Sequence, residues 1–60
     1  MSKFYIYDHN KEDALMVKDK GDFMSWLNNH ADMDRYSFFS TQENMESYLG
    51  KVLEEIKDAI

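Results

Sequence analysis

Asp8, Asn10 and Glu12 stand at alternate positions, the spacing at which a calcium-binding loop presents its first three side-chain ligands. The rest of that motif is missing. Asp13 occupies the position where such a loop needs glycine for its sharp turn, and Asp19 the position of the closing bidentate glutamate. His30, Asp32 and Asp34 form a second ligand-like run. Both runs fall in polar connecting segments, where carboxylates and imidazoles are ordinarily solvated, so no metal site is expected. His9, His30 and the surrounding acids are the only groups suited to acid–base work. The chain offers no cysteine nucleophile and no glycine-rich phosphate loop. It is also too short to wall off a dry pocket of ~300 Å³ or more. The residue types therefore describe a protein that is not an enzyme and carries no cofactor.

Charge narrows the partners. Twelve acidic residues face seven basic ones, for a net charge of −5. Phosphate attraction supplies most nonspecific nucleic-acid affinity and needs a basic surface, whereas Lys3, Lys11, Lys18, Lys20, Arg35, Lys51 and Lys57 are scattered and outnumbered. Direct binding of DNA or RNA is not expected. The absence of cysteine excludes disulfides and cysteine-based zinc sites. No apolar run is long enough to span a membrane and no signal peptide opens the chain, so the expected location is the cytoplasm. A chain that opens on Met1 without a tag reads as a complete, very short open reading frame, which favours the accessory proteins of compact genomes.

The elements that must position these residues are legible in the periodicity. Short charged chains often stay disordered, but here apolar residues recur with strand and helix periods. Four tyrosines, four phenylalanines, one tryptophan and five methionines supply the packing for a single domain over residues 1–60. Residues 3–7 are dense in aromatic and branched side chains and predict a strand, and residues 14–18 a second one, joined as a hairpin through residues 8–13. Asp19 with Asp22 predicts the start of a helix over about residues 20–31. Residues 35–39 predict a third strand. Ser40 with Glu43 forms a capping box, and Met45, Leu49, Val52, Leu53, Ile56 and Ile60 then keep the spacing of one buried helical face to the end of the chain.

The order ββαβα predicts an α+β fold: a three-stranded antiparallel-type sheet with the first strand central and both helices on one face. In that arrangement Met45, Leu49, Val52, Leu53 and Ile56 pack on Phe4, Ile6, Phe23, Trp26 and Leu27. Tyr5, Tyr7 and Met16, with an aromatic residue of the third strand, then lie on an uncovered face larger than a small monomer usually exposes.

Two surfaces follow as candidates. On a helix continuing to Ile60, Glu43, Ser47, Gly50, Glu54 and Asp58 form a stripe opposite the apolar one. Such a stripe either keeps the protein soluble or meets a basic partner, where spaced carboxylates stand in for a phosphate backbone. Gly50, costly inside a helix, is either simply tolerated there or marks a place where a partner approaches the backbone. The second surface is the aromatic sheet face, since tyrosine and methionine are favoured at interfaces. The expected function is a small acidic protein-binding module, a phage or mobile-element inhibitor or modulator of a host protein, with DNA mimicry as its sharpest form. The second reading is a homo-oligomeric structural or assembly protein, a homodimer through the aromatic face.

Overall fold

The computed structural model describes residues 3–30 and 32–60. β1 (Phe4–Asp8) and β2 (Asp13–Val17) form an antiparallel hairpin, and α1 (Lys20–Asn29) follows. Next come β3 (Tyr36–Phe39), α2 (Gln42–Leu49) and β4 (Lys57–Asp58). The sheet order is β3-β1-β2-β4. β3 is antiparallel to β1, and β4 runs parallel to β2. The first strand thus lies between the second and third, as expected, but the sheet is mixed and has four strands where three were expected.

Local chemistry starts α1 as its sequence predicts. Asp19 is extended, and its carboxylate accepts the Asp22 N–H at 2.8 Å, filling one of the donors that the first helical turn leaves open. Ala31, the expected end of this helix, lies outside the described residues. Phe4 stacks on Phe23 with ring centroids 4.4 Å apart, and Tyr36 meets Trp26 edge-on at 4.8 Å. Ile6, Val17, Trp26 and Tyr36 are the buried centre of this layer, with Phe23, Leu27 and Phe38 packed around them.

The second helix departs from expectation in three respects. Its cap is Thr41, one residue after Ser40, whose hydroxyl accepts the Asn44 N–H at 3.0 Å. It ends at Leu49, because Gly50 adopts the left-handed conformation (φ 73°) and donates its N–H to Glu46 C=O at 2.9 Å. Glycine is the usual residue for this stop, since any side chain there is strained. Finally, α2 packs on the face opposite α1. Met45 is buried against Tyr7 and Ala14, with Tyr5, Phe39 and Leu49 around them. Alternation along β1 explains this: Phe4 and Ile6 serve α1 while Tyr5 and Tyr7 serve α2. Both parities are aromatic or branched, so both faces need cover.

The expected packing of Met45, Leu49 and Leu53 against Phe4, Ile6, Phe23, Trp26 and Leu27 is therefore overturned, because the sheet separates the two groups. Between Gly50 and β4 the chain is irregular. The Glu46 carboxylate accepts the Leu53 N–H at 2.8 Å and the Gln42 amide at 3.2 Å. Leu53 and Ile56 dock under the second face, while Val52 is 78% exposed. Gly50→Ala is expected to destabilise by about 1–2 kcal/mol for purely conformational reasons, since an added Cβ meets nothing within 4 Å. A glycine inside a helix would respond with the opposite sign, so urea denaturation of this one variant distinguishes the two placements.

Candidate functional site

The hairpin end of the sheet holds the more deeply buried ion pair of the described residues. Asp8, the last residue of β1, is buried, and Arg35, the residue just before β3, grips it with two parallel bonds, Nε to Oδ1 and Nη2 to Oδ2, both 3.0 Å. The Asn10 and Lys11 N–H groups donate to Oδ1 at 3.0 and 3.3 Å. The Arg35 bond holds the Asp8 carboxyl below its usual range, burial opposes this, and the two backbone donors assist. Arg35 is correspondingly raised by its bond to Asp8, and its guanidinium carbon lies 5.3 Å from the centre of the Tyr36 ring. The pair closes the loop of residues 9–12 onto β3, and His9 adds a second tie, its Nε2 2.7 Å from Ser37 Oγ.

Beside this pair lies an open cleft of about 360 Å³. Leu15, Trp26 and Tyr36 form its apolar wall, and Lys11, Asp13, His30 and Asp58 stand at its rim. The His30 imidazole stacks on Trp26 at 4.2 Å and donates from Nδ1 to the Trp26 carbonyl at 2.9 Å. Asp13 faces Lys57, with Oδ1 3.6 Å from Nζ. Among the described residues, no three His, Asp or Glu side chains converge as a metal-ligand set. The ligand-like runs of the sequence have local employment: Asp8 is spent on Arg35 and its own loop, and Asp32 Oδ1 accepts the Asp34 N–H at 3.2 Å.

The partner-binding candidates are dispersed. Tyr7 is only 6% exposed and Tyr5 and Met16 are half-buried, so the aromatic sheet face that they were expected to present is covered by α2 and the segment after it. Glu43 is exposed in the first turn of α2, Gly50 is exposed at its end, and Glu54 lies on the irregular segment. Asp58 stands on β4, opposite Met16 in the register. The helical stripe through Glu43, Gly50, Glu54 and Asp58 does not form, because the left-handed glycine turns the chain out of the helix. The Asp8–Arg35 pair escapes sequence reasoning because the two residues are 27 positions apart. The one available signal is that Arg35 is the sole arginine in an acidic chain.

Fold and surface together define a small α+β protein with a mixed sheet between two helices and an acidic exterior. Among the described residues, no helix is long and apolar enough to cross a membrane. Comparison with protein-family models, curated proteins and solved structures finds no match.

Proposed function

We propose that this chain is a non-catalytic module that binds a basic protein surface, in the manner of the small inhibitors and modulators of host proteins carried by bacteriophages and mobile elements. The observation that carries this reading is the disposition of the acids. Glu12, Asp19, Asp22, Asp32, Asp34, Glu43, Glu54, Glu55 and Asp58 are all exposed. The ion pairs among the described residues engage only Asp8 and Asp13. Lys3, Lys11, Lys18, Lys20, Lys51 and Lys57 are exposed as well, so acids are in excess on a surface of mixed charge, and the resulting net negative field steers encounter with a surface of the opposite sign. A nucleic-acid-binding host protein is the partner that such a field suits best, with carboxylates from several elements standing in for phosphates.

The test is capture from a bacterial lysate, comparing the wild-type chain with the triple variant Glu43→Gln, Glu54→Gln, Asp58→Asn. A partner of the proposed kind is released by salt and associates about tenfold or more slowly with the variant, because long-range charge chiefly sets the encounter rate. Nucleic acid should also compete better against the variant. A partner retained equally at all salt concentrations and by both proteins would sink the proposal.

A further inference from the structure

The two edges of the sheet are built differently. β4 is only two residues long, and both Lys57 and Asp58 are charged, the kind of edge that resists pairing with another chain. β3, at the other edge, carries Tyr36, Ser37, Phe38 and Phe39 and among the described residues is paired only with β1. Its register with β1 is unbroken by a bulge. No charge and no proline occurs from Tyr36 through Gln42.

The register tells which backbone groups of β3 face outward. His9 N–H donates to Arg35 C=O at 2.9 Å, which makes His9 and Arg35 a bonded position of the ladder. Alternation in an antiparallel pair then turns the N–H and C=O of Ser37 and Phe39 toward β1 and leaves those of Tyr36 and Phe38 directed away from the sheet. The flanks of this edge are aromatic on both faces. Phe38 packs toward Trp26, while Phe39 lies 5.2 Å from the ring of Tyr48, which is 60% exposed.

We propose that this edge pairs with the same strand of a second copy, antiparallel about a twofold axis at Ser37, so that two sheets become one. Each copy's Tyr36 then exchanges both backbone bonds with Phe38 of the partner subunit, a self-complementary arrangement. A second copy fits this edge, because the outward-facing groups of Tyr36 and Phe38 lie symmetrically about Ser37. The residues paired in this register, Tyr36 to Phe38 of each copy, carry no charge. Two bodies of charge −5 thus meet without like charges opposed along the strand. An uncharged edge offers nothing to a basic partner, so this surface is separate from the acidic one.

The experiment uses chemical synthesis of the whole chain with the Phe38 amide N-methylated. This blocks an outward N–H while keeping the side chain against Trp26. Sedimentation equilibrium from micromolar to millimolar concentration should show the unmodified chain passing from monomer to dimer. Added salt should tighten the dimer by screening the like net charges, the opposite of its effect on a basic partner. The N-methylated chain should dimerise at least tenfold more weakly with an unchanged circular dichroism spectrum. In a mixed isotope-labelled sample, the Ser37 Hα of one copy should show a nuclear Overhauser contact with the Ser37 Hα of the other. If the N-methylated chain does not fold, that contact in the unmodified protein decides. A chain that stays monomeric through the millimolar range, a dimer indifferent to N-methylation, or one lacking the Ser37 contact overturns the proposal.

Discussion

Met45→Ala is expected to lower the unfolding free energy by about 2–5 kcal/mol, which is most of the roughly 3–9 kcal/mol that a domain of this length possesses. Met45 is 0% exposed and is the only buried side chain of α2. Through it α2 is anchored on Tyr7 and Ala14, so its truncation leaves a cavity between helix and sheet. Leu53→Ala should cost less, since Leu53 is half-buried at the margin of the same cluster. Val52→Ala should stay within about 0.5 kcal/mol, as for other exposed positions. Urea denaturation of the three variants gives a ranked series, Met45 above Leu53 above Val52. A helix running unbroken to Ile60 would instead make Val52 and Leu53 comparable to Met45, and that outcome would refute the early stop at Gly50.

Arg35→Met is expected to lower the Tm by on the order of 10 °C at neutral pH, because removing one partner strands a buried carboxylate. The effect should depend on pH in a defined direction. The Asp8 carboxyl is held below its ordinary value of 3.8, chiefly by Arg35. A group whose pKa is depressed by folding contributes stability that is fully present above its unfolded value and is lost as pH falls through its folded value. The wild-type advantage over Arg35→Met should therefore be complete at neutral pH and shrink as pH falls below about 4. Replacing the carboxylate as well, with Asp8→Asn in the Arg35→Met background, should recover part of the loss, since no uncompensated charge then remains buried. A gap between wild type and Arg35→Met that stays constant from neutral pH to pH about 2 would show that Arg35 acts only by packing its stem.

The same ion pair bears on the acidic surface. By consuming the single arginine, it leaves lysines as the only other basic side chains of the exterior, and the described ion pairs use just one of them, Lys57. The exposed carboxylates are thus left to the solvent or to a partner. Asp8 therefore does not belong with the acids of the proposed binding face, although it lies beside Asp13 and Asp58 around the cleft.

Local chemistry is what the sequence by itself determined. The extended run Phe4, Tyr5, Ile6 and Tyr7, the Asp19 cap and the aromatic spacing through Phe23 and Trp26 each act within a few residues. Accordingly β1, β2, α1 and β3 lie within a residue or two of their expected bounds. Gly50 is expected inside a continuous helix, although glycine is also the commonest helix-stop signal. The helical spacing that continues through Val52, Leu53 and Ile56 suggests that placement, yet Leu53 and Ile56 reach the core from an irregular segment held by Glu46. The two apolar parities of β1 also carried a sign of burial on both faces. Which helix would cover which face was decided only by tertiary structure. That choice depends on pairing β1 with β3, on Arg35 closing over Asp8, and on β4 joining β2 in parallel from the far end of the chain. These are long-range contacts whose partners are selected by simultaneous burial of both sheet faces, a condition that no local window of sequence contains.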